Sequence, residues 1–143
     1  MLSRVVIKPF GTIWELKERC IKSNGVRAKV LRFLYHYYQF EHGSAIAFES
    51  SFVNPSTFPR GMKQIVISGE ATIGKDCTIF HQVTIDTDVL PTSKLFGAPT
   101  IGDNCYIYPG AKIIGNIVVG HNVVIGANVV VSSNIPDNTT VVL

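Results

Sequence analysis

The sequence predicts a mainly β chain: a left-handed parallel β-helix of six-residue repeats, preceded by a short helical segment. Three observations carry this. Branched aliphatics recur every six residues at Ile67, Ile73, Ile79 and Ile85, then again at Ile101, Ile107, Ile113, Val119, Ile125 and Val131. Four residues after each falls a mostly small apolar side chain: Ala71, Cys77, Val83, Cys105, Ala111, Ile117, Val123 and Val129. Between them lie Gly74, Gly102, Gly120, Gly126, Asp103-Asn104 and Asn122, residue types that tolerate corner conformations. Periods of 3.6 or 2 would fill other positions, so a repeating turn is required. Six residues make one short strand and one corner, three such units close a triangular coil, and the aliphatics stack inside the prism.

Each element follows in order. Residues 12 to 40 carry Ile13, Leu16 and Cys20, then Val26, Val30, Phe33, Leu34 and Tyr37, at helical spacings broken by Ser23-Asn24-Gly25. These are two helices, the first capped by Thr12 with Glu15 completing a capping box. The aromatic cluster Phe33, Tyr35, Tyr37, Tyr38 and Phe40 is expected to pack, plugging the lower end of the prism. A helical cap over 1–43 then precedes a β-helix over 44–143. Its first coil is less regular, with Ile46, Phe52 and Phe58, and the length leaves room for roughly five coils, a prism ~25 Å tall. The spacing of sixteen between Ile85 and Ile101 is not a multiple of six, so residues 86–100 must leave the coil as an extruded loop, expected to serve a ligand or partner.

Composition bounds the function. At 143 residues the chain holds one core, and with 46% apolar and 16% charged residues much of its surface is uncharged, which points to self-association. The net charge is +3, but the basic residues concentrate in the first 32 positions without forming a stripe with interleaved aromatics, which argues against a nucleic-acid partner and suits an anionic small molecule. The three cysteines form no CxxC pair, and Cys77 and Cys105 fall at inward positions, as reduced core residues. The N-terminal apolar run ends at Lys8-Pro9, and Ile113 to Val131 is interrupted by Gly115, Asn116, Gly120, His121 and Asn122. Neither reads as a signal peptide or a membrane span, so a soluble cytoplasmic protein is expected.

The stretches ISGEATIGKDCTIFHQVTI and APTIGDNCYIYPGAKIIGNIVVGHNVVIGANVVVSSNIPDNTTVV resemble the serine acetyltransferase-like branch of the hexapeptide-repeat acyltransferases, a branch that includes enzymes acetylating capsule and surface sugars. The resemblance covers about residues 44 to 143. It implies a homotrimer with active sites between adjacent prisms, acetyl-CoA along the cleft as co-substrate, no metal, and a histidine base acting on the hydroxyl of a small acceptor. The sequence departs from serine acetyltransferases at three places. Phe58 to Gln64 holds no histidine where they carry Asp-His, Gly97-Ala98 stands where they carry Arg-His before the coil-opening Pro99, and the sequence ends at Leu143 where they continue into a basic tail.

Four histidines remain as candidate bases. His36 lies in the aromatic helix, His42 at its junction with the prism, and His121 in a corner. His81 stands just before the loop, with Asp86 or Asp88 nearby in sequence to orient its ring, and is the favoured catalytic residue together with Asp86. Arg60 takes the place of the family's histidine and, with Asp88, is the candidate acceptor-binding pair, its guanidinium suited to a carboxylate. Gly110, Ala111, Lys112, Gly126 and Ala127 match stretches that hold the cofactor in the family, Lys112 as a phosphate contact. A sugar hydroxyl is the expected acceptor. Serine, or a non-catalytic scaffold, is the alternative. A zinc site of the γ-carbonic anhydrase kind would need three histidines, and only His81 and His121 share the required position.

Overall fold

A computed structural model describes residues 8–143, so the readings made on residues 1–7 lie outside the described residues. A 3-10 turn, Lys8–Phe10, leads into α1 (Ile13–Lys22) and α2 (Gly25–His42). Thr12 caps α1 through its hydroxyl, which accepts the Glu15 amide at 3.3 Å. Gly43, at φ 62°, ends α2 in the left-handed region, and its amide returns to the carbonyls of Gln39 and Phe40.

Among the described residues, thirteen short strands form three parallel sheets, the three faces of a left-handed triangular prism. The first face stacks Ala45–Ile46, Val66–Ile67, Thr84–Asp86, Lys112–Ile114 and Val130–Val131. The second stacks Ser51–Phe52, Thr72–Ile73, Thr100–Ile101 and Val118–Val119, with Ile135 bridging to Val119. The third runs from Thr57, bridged to Thr78, through Thr78–Ile79, Tyr106–Ile107 and Val124–Ile125 to Thr140–Val141. All ten aliphatics of the repeat are buried, none more than 4% exposed, and so are the eight residues four places after them. Like side chains therefore sit over like, and burying an isoleucine in such a stack contributes about 1.5–3 kcal/mol.

The corners are as regular as the faces. Asp76, Asn104, Asn122 and Asn138 hold positive φ one above another at the corner between the second and third faces. Their side chains form a ladder: Asn104 Nδ2 donates to Asn122 Oδ1 at 3.3 Å and Asn122 Nδ2 to Asn138 Oδ1 at 3.0 Å. Asparagine accepts this conformation at modest cost and satisfies its amide against the rung above.

The helices seal the lower end. Leu16, Cys20, Leu31 and Tyr35 form a small core that Ile13 and Tyr38 join to the prism interior. Trp14 packs edge-on to Phe52 at 4.7 Å and stacks on Phe58 at 5.6 Å, so the large aromatics of the first coil fill the wide end. The first strand still has an unpaired edge, and Gln39 covers it. Its Nε2 donates to the Ile46 carbonyl at 2.9 Å and its Oε1 accepts the Ile46 amide, so one side-chain amide replaces a strand neighbour.

The aromatic cluster of α2 divides, contrary to the expectation that it packs as a unit. Tyr35 is buried and Tyr38 half-buried, whereas Phe33 and Phe40 stay exposed. The reason is helical phase: Tyr35 shares a face with Ala28, Leu31 and Gln39, while residues 33 and 40 lie on the opposite side. Cys77 and Cys105 are buried, free thiols, as expected. Their sulfurs donate to the carbonyls of Gly102 and Gly120 at 3.2 Å. A hydrogen bond to Cys105 and burial push the Cys77 thiol up from its ordinary pKa.

Residues 87–99 leave the prism at the corner between the first and second faces, while Asp86 and Thr100 stay in their strands. They form a hairpin closed by paired backbone hydrogen bonds between Asp88 and Gly97, at 2.9 and 3.0 Å. Leu95 packs back onto the core, and its carbonyl receives the Asn116 amide at 2.7 Å. The loop is thus pinned to the next coil.

Candidate active site

The corner between the third and first faces gathers most of the predicted site. Gln64, Gln82, Gly110 and Asn128 stack there at positive φ. Each amide reaches the coil below: Gln82 to the Lys63 carbonyl at 3.0 Å, Gly110 to His81 at 3.2 Å, and Asn128 to Pro109 at 2.9 Å. Lys63, His81, Pro109 and Ala127 therefore form the adjoining column, one residue earlier on each rung. Beside them runs an open groove of about 380 Å³, lined by Gln64, Gln82, Thr84, Gly110, Lys112 and Asn128.

His81 is half-buried. Its Nδ1 is sealed from solvent without a hydrogen-bond partner among the described residues, which leaves Nε2 as the nitrogen at the surface. The other histidines are committed elsewhere. His42 Nδ1 lies 2.8 Å from the Tyr38 carbonyl, and His36 stands edge-on to Tyr35 and Phe48. His121 Nδ1 accepts the Asp103 amide at 2.9 Å, bracing the asparagine corner. His81 and His121 thus occupy different corners of the prism, and no group of three His, Cys, Asp or Glu able to hold a metal exists among the described residues.

Charge on the His81 corner is of one sign. Arg60 and Lys63 sit in the irregular segment that enters it and Lys112 on the strand that leaves it, all exposed and without an ion pair among the described residues. No aspartate or glutamate lines the groove. Such an edge attracts phosphates and carboxylates.

Three expectations change. Asp86 lies at the far end of the strand Thr84–Asp86, at the loop corner, where its Oδ1 accepts the Thr87 amide at 2.8 Å. No hydrogen bond joins it to His81 among the described residues, because five residues along a β-helix cross a whole face. Asp88 is also at the loop corner, away from Arg60, and its carboxylate holds the hairpin: it accepts the Leu90 amide at 2.9 Å and the Ser93 hydroxyl. Those bonds, Ser93 first, hold its pKa below the usual range. Ala111 is fully buried and points into the prism, so a ligand in the groove meets at most its backbone. Of the remaining candidates, Lys112, Gly126 and Ala127 reach the surface, and Gly110 lines the groove.

Sequence reasoning missed Gln64, Gln82, Thr84 and Asn128. The signal was present: Gln64 and Gln82 are 18 residues apart, as are Gly110 and Asn128, which is one full coil. Gln82 Nε2 donates to Gln64 Oε1 at 2.8 Å. Just outside this corner, on the third face, Phe80 and Tyr108 stack with ring centroids 5.1 Å apart and planes 11° from parallel. Tyr106 and Tyr108 are exposed.

Comparison with known proteins agrees with this architecture. Residues 98–133 match the bacterial transferase hexapeptide (six repeats) family. Serine acetyltransferase of Mycobacterium tuberculosis (strain ATCC 25618 / H37Rv) is 40% identical over 78 residues, 54% of this chain and 33% of that protein. Among solved structures, serine acetyltransferase isoform 3 of Entamoeba histolytica, in complex with cysteine, superposes with a TM-score of 0.75 at 28% identity, covering 92% of this chain and 46% of that one. The Neisseria gonorrhoeae serine acetyltransferase in complex with serine gives 0.75 at 26% identity, covering 91% and 51%. The chain spans about a third of the length of the curated relative and about half that of the solved ones. The hexapeptide repeat is matched over residues 98–133, and the fold is like that of a serine acetyltransferase over 92% of the chain.

Proposed function

We propose that this chain is an acetyl-CoA-dependent O-acetyltransferase that acts, as a cytoplasmic homotrimer, on the hydroxyl of a small molecule. The observation that carries it is the His81 corner: an imidazole with one free nitrogen beside a groove lined by Lys112 and no acid, with Arg60 and Lys63 on the segment that enters the corner, on a prism that resembles serine acetyltransferases of known structure. The groove suits the phosphates of CoA, with Lys112 and Lys63 as their partners and Gly110, Gly126 and Ala127 leaving the corner low enough for a thin ligand arm. Bound there, acetyl-CoA supplies an activated acyl group.

His81 Nε2 would take the proton from the acceptor hydroxyl as its oxygen attacks the acyl carbon, and would return it to the thiolate released when the carbon–sulfur bond breaks. Asp86 does not orient His81 within one copy. In a trimer, the loop 86–100 of one copy is the element available to close over the His81 corner of the next. No helix among the described residues is long and apolar enough to cross a membrane.

Serine is the acceptor to test first, since the relatives are named for it. A second reading, a sugar hydroxyl, is favoured by exposed Tyr108 stacked on half-buried Phe80, because flat aromatic faces suit pyranose rings. It also agrees with Gly97-Ala98 at the position of the carboxylate-binding pair in the resemblance. Thiol release from acetyl-CoA, measured with serine and with a panel of sugars, separates the two. No release with any acceptor, together with no CoA binding by calorimetry, would favour the scaffold reading.

A further inference from the structure

Lys17 carries a charge into the interior. It lies on α1 with Leu16 and Cys20 on the buried side of that helix, and it is 6% exposed. A lysine at such a site ordinarily lays its stem along apolar surface and leaves its ammonium in water. Here Nζ donates to the Ser50 carbonyl at 2.6 Å and sits 5.4 Å from the centroid of the Phe52 ring. No carboxylate forms an ion pair with it among the described residues. Burial pulls its pKa down from the ordinary 10.5, against a smaller opposing effect of Glu49 and Glu18. Beside it, between α1 and the first coil, opens a crevice of about 110 Å³ whose other lining residues are Trp14, Glu18, Phe52, Val53, Asn54 and Pro55. It shares no residue with the groove at the His81 corner.

We propose that Lys17 is a covalent modification site, its Nζ taking a small acyl group from an acyl thioester such as acetyl-CoA. The ammonium first loses a proton to solvent. The nitrogen lone pair then bonds to the thioester carbonyl carbon, the carbon–sulfur bond breaks, and the departing thiolate takes a second proton from the nitrogen. Only the neutral amine attacks, and a desolvated lysine offers more of it at neutral pH than a hydrated one. The product suits the site that the amine leaves. A secondary amide still has one N–H for the Ser50 carbonyl, and its acyl methyl meets the apolar walls of Trp14, Phe52 and Pro55. Acylation also removes a charge from a place where it has no counter-ion, which relieves a desolvation cost.

The size of the crevice limits the acyl group to a few carbons, and the thiol carrier stays at its mouth and leaves with the sulfur. Other lysines of the same helices serve as internal references. Lys22 is exposed and pairs with Glu18 at 3.1 Å, and Lys29 is exposed on α2. Both keep the hydration that holds an amine in its charged, unreactive form. The inference needs acetyl-CoA only as a reagent and does not depend on His81 acting as a base.

The test is peptide mass spectrometry of the purified full chain incubated with acetyl-CoA at neutral pH, with the acetylated fraction at each lysine followed over time. In the folded chain Lys17 should gain its acetyl group about tenfold faster than Lys22 or Lys29. In urea the three are equally hydrated, and the preference should vanish. Val53 is 56% exposed and lines the crevice, so Val53→Phe narrows the mouth without touching the core and should slow Lys17 alone. Glu49→Gln removes the larger opposing charge and should speed Lys17 alone. Circular dichroism checks that both variants keep the fold. Acetylation of Lys17 no faster than that of Lys22 and Lys29 in the folded chain would overturn the inference. A rate at Lys17 that Val53→Phe leaves unchanged would overturn the crevice as its route.

Discussion

Replacing Gln39 by leucine tests whether one side-chain amide ends the first face of the prism. Gln39 is 3% exposed and holds both the amide and the carbonyl of Ile46, which is itself 1% exposed. Leucine has nearly the same volume and a better helix propensity, so neither packing nor α2 should suffer. The two backbone groups, however, lose their partners at a buried position. Each buried unsatisfied group costs about 1–3 kcal/mol, so Gln39→Leu should destabilise by about 2–6 kcal/mol. With a urea slope of ~1–3 kcal/mol per molar for a chain of this size, the midpoint should fall by about 1 M or more. Protein concentration must be held constant, because self-association adds to apparent stability. The control is Phe40→Ser, one residue away and exposed. A Gln39→Leu midpoint within experimental scatter of wild type would refute the reasoning and show that the edge is satisfied by water.

Further outcomes follow from the same geometry. His81→Ala should lower acetyl transfer by roughly 10²- to 10⁴-fold while CoA binding by calorimetry is kept; retained rate would remove it as the base. Lys112→Gln should raise the KM for acetyl-CoA about tenfold and weaken its dependence on salt, with kcat little changed. Gly110→Ala combines a φ of 75° with a new Cβ 2.1 Å from Asn128 Oδ1, and should cost about 1–3 kcal/mol in urea denaturation; Asn128→Gly added to it, which keeps the positive φ of that position free of strain, should recover the steric part only. Burial pushes the Tyr35 phenol well above its ordinary 10.0, so the unfolded chain releases that proton first. Stability should therefore decline as pH rises past about 10, and Tyr35→Phe should flatten that decline in urea midpoints taken at increasing pH.

The prism was legible because its signal is redundant: an isoleucine at every sixth place leaves one arrangement that buries all of them. The helices were legible for a similar local reason, since Thr12 and the break at Ser23-Asn24-Gly25 mark their ends. What failed depends on bearing rather than spacing. Asp86 is near His81 along the chain, yet a strand lies between them, and closeness in sequence becomes distance once a corner has been turned. Ala111 fitted two patterns, an inward rung and a ligand-holding motif, and only its burial decided between them. The aromatics of α2 fooled a reading by composition because both sides of that helix are apolar, so no polar face fixed its rotation. Gln39 gave no warning, since a polar residue in a helix ordinarily means solvent, not the end of a sheet.

The stacked corners also make the molecule a ruler. Residues on successive rungs of one column share a compass bearing and differ in height by about 4.8 Å; they are 18 apart in number where no loop intervenes and 28 apart, as for His81 and Pro109, where it does. Relocating the imidazole from 81 to the positions held by Pro109 or Ala127 would slide it up the same edge in fixed steps, while the groove beside it stays put. Few scaffolds let reach be varied while direction is held constant, and here the chain's own numbering supplies the graduation.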